Sequence, residues 1–517
     1  MTNKETRFIK TKNLSDLRAE CSAEISLPDY NTDVRKILHV SAKPHPISSF
    51  ASGDGVECSG EVSFEVVYLD FEGAVSSASF SGDYSFKAKC DTDSYKDSLV
   101  ETTLSGLSLR LMSPRKIAAR ATLESSITIL TEAAVVTEGD ALEPSLEPQI
   151  EPTCISVRAT AMTPSCEREY GCSLQRFDGK TTDEVQLIHL SVTPVVERVE
   201  VSGSEAEIMG SIKAEALVRT DDYPLCKIEK TMELSEKILL DDSFADAQPR
   251  PRIDVASAAV AVSGDEGGVE LVLNVITDTR LVGEKNTTLE LVGDMYLCDH
   301  PCDCVREDLA YDEYVGRAEV TREITEKMPL SELDVGKIRE VVYADARGKI
   351  NSAQPVESGV GFEGEIFVSA IATEIKDDGE LEFTSIKFPV KFKENVNLDC
   401  HISENTTVYP DMSLLGVSVI VDAEYVYFKA NVRFCVDACE AKTASILVGA
   451  TAILDETYTK HPARVCVYYP EAGDTLYSVA KAYHTTKEKL LSANPGIADV
   501  AAVNGDISGA IKHLIIT

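Results

Sequence analysis

Four side chains that bind soft metals form the densest reactive group in this 517-residue sequence: Cys298, His300, Cys302 and Cys304. Thiolate sulfur and imidazole nitrogen are good ligands for zinc. Their spacing is not that of the paired cysteines in a zinc knuckle, so we predict no metal ligands and no cofactor, with a soft-metal site as the alternative. The fourteen cysteines are expected to be reduced thiols, because disulfides are uncommon in long intracellular chains.

Motifs of the common catalytic mechanisms are missing from the sequence. It has no Walker sequence, no His-Glu-x-x-His zinc motif and no Gly-x-Ser-x-Gly nucleophile turn. The eight histidines are scattered, so no serine or cysteine nucleophile has an evident base. Gly359, Gly361 and Gly364 match the spacing of a dinucleotide-binding loop, but the residues that follow alternate as a strand where that loop requires a helix. We therefore predict no catalytic residues and no enzyme activity.

The charge of the sequence excludes some classes of partner. With 86 acidic and 50 basic residues the formal net charge is −36, which disfavours nucleic acid and anionic membrane surfaces as partners. No apolar run approaches the ~18 residues of a membrane helix, and the first residues do not resemble a secretion signal. We expect no membrane insertion and a cytoplasmic location. Residues 464–517 carry five basic and five acidic residues, so the acidic excess lies upstream of this tail.

A pattern of alternating apolar residues recurs around three glycines, Gly60, Gly210 and Gly364. Period two indicates strands with one buried face, and the recurring glycine predicts a bulge or a close backbone approach. A second alternating strand follows each time at a similar distance. The lead-in segments of the first and third copies also agree at identical offsets, Pro28, Val34, Lys36, Ile37 and Val40 matching Pro329, Val335, Lys337, Ile338 and Val341.

These repeats predict a mainly β protein of three tandem antiparallel β-modules in a semi-extended array. The first module is placed at residues 1–136 and the second, whose lead-in is degenerate, at residues 157–306. The third is placed at residues 307–458. Between the first two, residues 137–156 are rich in proline and acidic residues, which predicts a stiff linker.

The tail at residues 463–517 has a different pattern, which predicts a small βααβ module. A short strand at residues 465–469 precedes Asp474 and Thr475, either of which can cap a helix. Apolar residues then follow at helical spacing: Leu476, Val479, Ala480 and Tyr483. Thr485 or Thr486 is expected to cap a second helix that ends at Asn494, and residues 514–516 supply the last strand.

This tail resembles the LysM family at Tyr469, Gly473, Asp474, Thr475, Leu476, Ala480, Tyr483, Leu490 and Asn494, in the family's order and spacing. In LysM domains two loops border a shallow groove, where backbone amides and small polar groups receive the N-acetyl group of an aminosugar. The resemblance implies a groove formed by Gly473, Asp474, Thr475, Leu476, Asn494, Pro495, Gly496 and Ile497. Tyr477 lies off the apolar stripe and is expected to be exposed beside this groove.

Each of these residues also has a simpler structural explanation. Leu476 fits the domain core, while Asp474 and Asn494 fit the start and the end of a helix. The sequence also departs from the family after the second helix, where a longer stretch, residues 505–517, replaces the usual glycine-rich turn. This departure changes the stretch that forms the far wall of the groove in the family, and glycan binding depends on that wall.

The upstream modules resemble the SPOCS domain of spore-coat morphogenetic proteins. The similarity rests on residues 27–28, 34–38, the Gly60 strand up to residue 68, and residues 113–117. It implies a non-enzymatic scaffold in the mother cell, at the forespore and coat surface, docked by its LysM module to the ATPase of the coat basement layer. Two alternatives remain: a cell-wall protein that binds the N-acetylglucosamine polymer of peptidoglycan, and a hydrolase targeted by its LysM module.

Overall fold

The computed structural model describes residues 4–45, 47–91, 93–141, 146–265, 267–399, 402–458, 465–497, 505–508 and 511–517. Strands make up 75% of the chain, and two short helices lie near its C-terminus. This confirms the predicted fold class, mainly β with a βααβ module at the end. No helix among the described residues is both long and apolar enough to cross a bilayer.

The first β-module contains two antiparallel sheets. In one of them β4 pairs with β2, β3 and β5, and in the other β7 pairs with β1 and β6. Apolar side chains of both sheets form its core, among them Val62, Phe64 and Leu123. Its strands are β1 (Lys4–Ser26), β2 (Val34–Pro44), β3 (Ser48–Ser52), β4 (Gly55–Asp70), β5 (Val75–Lys89), β6 (Tyr95–Ser113) and β7 (Lys116–Ala141).

The second β-module repeats this plan with two changes, the first being that a single strand, β10, takes the place of β2 and β3. Its first sheet has the order β10-β11-β12, and in its second sheet β14 pairs with β13, β8 and β9. Two short strands, β8 and β9, therefore take the place of β1 along the long strand β14. Its strands are β8 (Gln149–Met162), β9 (Cys166–Asp178), β10 (Val185–Ser202), β11 (Glu205–Thr220), β12 (Cys226–Leu239), β13 (Gln248–Asp265) and β14 (Gly268–Tyr296).

The third β-module has the simplest form of the plan. Its first sheet has the order β16-β17-β18, and in its second sheet β20 pairs with β15 and β19. Phenylalanines from both sheets fill the core, including Phe362, Phe392 and Phe434. Its strands are β15 (Cys302–Pro329), β16 (Lys337–Val356), β17 (Gly359–Ile375), β18 (Leu381–Asn397), β19 (Thr406–Val421) and β20 (Tyr425–Ala452).

The recurring glycines lie where the backbone of a neighbouring strand comes close. A Cβ atom on Gly210 would stand 2.1 Å from the Val195 carbonyl oxygen, and one on Gly364 would stand 2.2 Å from that of Lys349. Both glycines face a bulge, since the register shifts opposite Gly210 in β10 and opposite Gly364 in β16. The bulge and the close approach expected from the sequence are therefore confirmed in these two modules.

In the structure, the lead-in segments of the first and third modules correspond at other positions than their sequences suggest. In β2 the register shifts after Ile37, and His39 then pairs with Val67. In β16 the corresponding shift follows Val341, and Tyr343 pairs with Ile371. The structural equivalent of Ile37 is therefore Val341 and not Ile338, because the bulges fix the register more strongly than the local sequence similarity.

The three modules meet at an apolar cluster that we call the central junction. All three contribute to it, with Leu38, Val67, Leu69, Val75, Ile188, Leu217, Leu225, Tyr343 and Ile371. His39, His189 and Tyr343 follow equivalent bulges, and their rings contact each other with centroids 5.1 to 5.4 Å apart. The modules therefore surround a common centre, and the predicted semi-extended array is wrong.

The stretch expected to be a stiff linker consists largely of strand. β7 continues to Ala141, and its end pairs in parallel with β20. The Thr137 hydroxyl donates a hydrogen bond to the Leu447 carbonyl oxygen at 3.0 Å, and Ile155 in β8 is buried. Strands of the second module thus begin earlier than residue 157, and β15 of the third module begins at Cys302. Prolines in this stretch are compatible with strand ends and edges.

The C-terminal domain forms the small unit that its sequence predicts. Strand β21 (Cys466–Tyr468) pairs antiparallel with β22 (Leu514–Ile516). Between them lie helix α1 (Leu476–Ala482), helix α2 (Lys487–Ala493) and a 3₁₀ turn at Pro495–Ile497. Its core contains Leu476, Val479, Ala480, Leu490, Ile507, Ile511, Leu514 and Ile516.

Candidate functional site

The first candidate loop begins at Gly473, which is exposed and has a φ of +93°. A glycine suits this conformation, which most side chains disfavour. No atom outside the adjoining residues lies within 4 Å of the position that a Cβ atom would take, so the space beside Gly473 is open. Its N–H, however, donates a hydrogen bond to Asp506 Oδ2 at 2.9 Å.

Asp474 closes the loop on itself. Its Oδ2 accepts hydrogen bonds from the Tyr468 hydroxyl at 2.6 Å and from the Glu471 N–H at 2.7 Å. The bond to the carboxylate raises the pKa of Tyr468 to about 12, because the neutral hydroxyl is the form that can donate. The Asp474 side chain therefore holds the loop between β21 and α1 and does not cap the helix.

Thr475 is the residue that caps α1. Its hydroxyl accepts a hydrogen bond from the Ser478 N–H at 3.0 Å, and Ser478 Oγ accepts one from the Thr475 N–H at 2.9 Å. This reciprocal arrangement satisfies backbone donors at the helix start, with serine in the place usually held by glutamate. The Leu476 side chain is buried in the domain core, which agrees with the simpler explanation of Leu476 as a core residue.

Tyr477 is not exposed beside the groove. Its side chain is only 5% exposed, because its ring packs edge-on against Tyr296 at the end of β14, with centroids 5.2 Å apart. Lys487 Nζ lies 5.1 Å from the centroid of the same ring. The expectation of an exposed Tyr477 is therefore wrong: the residue is off the domain's own apolar stripe because it contacts the β-modules.

The second candidate loop begins at Asn494, the C-cap residue directly after α2. Its side-chain amide donates to the Leu490 carbonyl at 2.8 Å and to the Ile515 carbonyl at 2.7 Å, and its Oδ1 accepts from the Ile515 N–H at 2.8 Å. Asn494 thus joins the helix end to β22. Pro495, Gly496 and Ile497 form the 3₁₀ turn that follows, with Pro495 exposed and Ile497 against the core.

The unusual C-terminal stretch packs beneath the first loop. Ile507 and Ile511 are buried in the core, and the Ile507 N–H donates to the Asp474 carbonyl oxygen at 2.8 Å. Asp506, which the sequence analysis did not select, supplies the acceptor for Gly473. In the sequence, the signal that could have pointed to Asp506 is its place as a short acidic residue directly after Gly505. Residues 509 and 510 of this stretch, and residues 498–504 before it, lie outside the described residues.

Contacts with the β-modules hold the opposite side of the C-terminal domain. The Tyr296 hydroxyl donates a hydrogen bond to the Thr485 carbonyl oxygen at 2.6 Å. Lys481 Nζ lies 2.5 Å from Asp294 Oδ2, and Lys487 Nζ lies 2.7 Å from Glu151 Oε2. Two cations of the neutral tail thus pair with carboxylates of the acidic body. Sequence reasoning missed these contacts, because no local pattern connects residues so far apart in the chain.

The group around Cys302 does not gather into a metal site among the described residues. His300 Nδ1 lies 2.8 Å from the Glu456 carbonyl oxygen, and Cys298 packs against the core of the C-terminal domain. No set of three or more His, Cys, Asp or Glu side chains in the described part of the chain is placed to hold a metal ion.

Comparison with known proteins identifies the C-terminal domain. The LysM domain family model matches residues 471–503, which include Gly473, Thr475 and Asn494. No curated protein and no solved structure matched the chain. The match agrees with the βααβ order and with the two candidate loops described above. The chain therefore contains a LysM domain, a family whose presence indicates binding to peptidoglycan and other N-acetylglucosamine polymers.

Proposed function

We propose that this chain is a non-enzymatic binding protein whose LysM domain attaches it to a polymer of N-acetylglucosamine, with peptidoglycan as the first candidate. The observation that carries the proposal is the LysM match together with the open space at Gly473. An uncharged sugar needs shape and hydrogen bonds more than charge, and a tail with equal numbers of acidic and basic residues fits that requirement.

The orientation of the LysM domain supports this proposal. Tyr477, Lys481 and Lys487 face the β-modules, whereas Gly473 and Pro495 at the two candidate loops are exposed. The contact with the body therefore leaves the two loops open to a ligand. A binding domain fixed in this way presents its ligand at a set position relative to the body.

The test is retention of the full chain on purified peptidoglycan. Gly473→Asn places a side chain in the open space beside the loop, and asparagine is among the residues that best tolerate positive φ. We expect the variant to bind about tenfold more weakly, equivalent to about 1.4 kcal/mol. Gly379→Asn is the matched control, since Gly379 also has a positive φ of +85° and open surroundings but lies between β17 and β18.

Equal retention of Gly473→Asn and Gly379→Asn would exclude the groove as the binding site. Failure of the unaltered chain to bind peptidoglycan, chitin oligomers or any N-acetylglucosamine polymer would refute the glycan proposal as a whole. Release of cleaved wall fragments by the chain would contradict the non-enzymatic part and favour a targeted hydrolase.

The second candidate function is a scaffold for spore-coat assembly. The tandem SPOCS-like modules followed by one LysM domain resemble the clostridial coat protein SipL, which implies a location in the mother cell at the forespore surface. One observation favours a protein ligand: the Gly473 N–H and the Asn494 amide already have partners within the chain. Fewer polar groups are then left to receive an N-acetyl group. The implied partner is the ATPase of the coat basement layer.

The two candidates differ in what the LysM domain retains. A pull-down of the full chain with purified cell wall in one arm and the basement-layer ATPase in the other separates them, with Gly473→Asn and Gly379→Asn in both arms. Binding to the ATPase alone favours the scaffold. A fluorescent fusion spread evenly through sporulating cells would contradict the scaffold and its location.

A further inference from the structure

Two cysteines lie side by side at the start of β15, next to the end of β14 that contacts the LysM domain. Cys302 and Cys304 are two residues apart in a strand, so their side chains point to the same face. Both are partly exposed, and both pack against the apolar cluster that contains Met295 and Leu447. The Cys302 thiol lies 3.9 Å from the Asp303 carbonyl oxygen, and the Cys304 thiol lies 3.6 Å from that of Met295.

Two cations that act on Cys304, one from β15 and one from the LysM domain, share the carboxylate of Asp294. Arg306 Nη2 lies 2.7 Å from Asp294 Oδ1, and Lys481 Nζ of the LysM domain lies 2.5 Å from Oδ2 of the same carboxylate. The neighbouring Cys302 thiol lowers the pKa of Cys304 to about 7, with help from Lys481 and Arg306 and against burial and Asp294, while the pKa of Cys302 itself is raised. Cys304 therefore carries an appreciable thiolate fraction at neutral pH.

Other cysteines of the chain have the opposite character. Burial raises the pKa of Cys58 to about 11, and it raises the pKa of Cys435 and of Cys439 to about 12. Buried thiols of this kind are inert, whereas reactive cysteines are accessible, lie near positive charge and often have a second thiol beside them. Cys302 and Cys304 have all three properties.

We propose that Cys302 and Cys304 form a reversible dithiol site for low-molecular-weight disulfides, beside the end of β14 where Asp294 pairs with Lys481 of the LysM domain. The Cys304 thiolate attacks one sulfur of the small disulfide, whose S–S bond breaks and releases one thiol. Cys302 then loses its proton and attacks the Cys304 sulfur of the mixed disulfide, which releases the second thiol. The two protein thiols are oxidised to a disulfide, and the small disulfide is reduced to two thiols.

The strand geometry makes this bond reversible. Residues in a strand rise ~3.3 Å each, so the two Cα atoms are about 6.6 Å apart, near the upper end of the range for disulfides. A bond between them distorts the strand locally, and strained, exposed disulfides are the ones that are readily reduced. The distortion falls where Cys302 and Cys304 pair with Ala452 and Ala450 of β20, next to the Asp294 ion pairs.

The experiment exposes the full chain to oxidised glutathione at pH 7 and identifies the products by peptide mass spectrometry. We expect a Cys302–Cys304 disulfide that disappears with excess reduced glutathione. Cys302→Ser should instead retain a glutathione adduct on Cys304, because the resolving thiol is missing. Cys435→Ser is the control and should react as the unaltered chain does. An unmodified Cys302–Cys304 pair under conditions that modify other cysteines would overturn the proposal.

A second measurement tests the role of the LysM domain in this site. Lys481→Met removes a cation beside Cys304, so alkylation of Cys304 by iodoacetamide at pH 7 should slow about two- to fivefold as its thiolate fraction falls. Lys489→Met is the matched control on the same domain, since Lys489 acts on Cys298, whereas the cations that lower the pKa of Cys304 are Lys481 and Arg306. Equal rates in the two variants would overturn the proposed coupling.

Discussion

The LysM domain and the central junction hold their polar side chains in different ways. In the LysM domain the partners are close in the chain, as Thr475 is to Ser478. In the junction they belong to different modules: His189 Nδ1 lies 2.6 Å from the Glu65 carboxylate, and its Nε2 lies 2.9 Å from the Tyr343 hydroxyl. Polar residues of the LysM domain thus fix the loops of one small unit, whereas those of the junction fix how three units are arranged.

A buried ion pair in the second module has the same character. Arg158 and Glu284 form two hydrogen bonds of 2.8 Å, with side chains only 3% and 5% exposed. Thr160 donates to the same carboxylate and lies 2.9 Å from Thr11 of the first module, while Arg158 stands over the Tyr409 ring of the third. One charged pair of the second module therefore contacts the third module directly and is linked to the first through Thr160.

The largest effect is expected for Arg158→Met. Loss of the guanidinium leaves the Glu284 carboxylate buried without its partner, so the free energy of unfolding should fall by about 3–5 kcal/mol. Chemical denaturation of the full chain measures the change. Replacing both residues, as Arg158→Met with Glu284→Leu, should recover much of the loss, because a buried pair replaced by apolar groups costs little.

Arg176→Met provides the comparison at the surface of the same module. Arg176 also contacts a carboxylate, that of Asp265, but both side chains are well exposed, so we expect little change in stability. If Arg158→Met were as mild as Arg176→Met, the contact between modules would not depend on this pair.

The second largest effect is expected in the pH dependence of folding stability, to which His39 contributes. Burial, with help from His189 and Lys387, lowers the pKa of His39 to about 3, from about 6.5 in an unfolded chain. The unfolded state then binds a proton that the folded state excludes, so His39 costs stability as the pH falls below about 6.5. By proton linkage the free energy of unfolding falls by up to about 1.4 kcal/mol per pH unit, which amounts to a loss of about 2 kcal/mol at pH 5.

The variant that isolates this effect is His39→Asn, which does not titrate in this range. The slope of unfolding free energy against pH between about 6.5 and 4 should become shallower than in the unaltered chain. Exposed His513 offers the control, and His513→Asn should leave the slope as it was. Identical slopes for all three proteins would mean that His39 does not remain neutral in the junction.

Much of the fold follows from the sequence because it depends on local patterns. Alternation around Gly60, Gly210 and Gly364 marks the strands, and helical spacing from Leu476 marks α1. The arrangement of the modules does not follow. His39, His189 and Tyr343 look like three unrelated polar residues until the bulges bring them to one register position. Contacts across such distances depend on packing and have no local signature.

The candidate site shows the same difference between residues placed by local patterns and residues placed by distant contacts. Thr475 caps α1 and Asn494 follows the end of α2, as the sequence predicts, because capping and helix ends have strong sequence preferences; their role in binding stays a prediction. Tyr477 was placed wrongly because its position depends on Tyr296, a residue of another module. An aromatic residue off the apolar stripe of a helix indicates a second packing surface as readily as an exposed one, and the sequence does not distinguish them.

The smallest effect is expected within the LysM domain, for Thr475→Ala. Without the hydroxyl, the Ser478 N–H at the start of α1 loses its acceptor, which costs about 1 kcal/mol of helix stability. Hydrogen exchange should therefore speed up about fivefold in α1, and β14 should keep its protection, because loss of a cap acts within a local unit.

Thr475→Ser restores the hydroxyl and should return exchange in α1 to its original rate, which separates the cap from a general loss of side-chain volume. Faster exchange in β14 as well would show that the contact between Tyr296 and Tyr477 joins the two regions into one cooperative unit. The contrast between local and inter-module stabilisation would then fail at this contact, because a local cap would also support the β-modules.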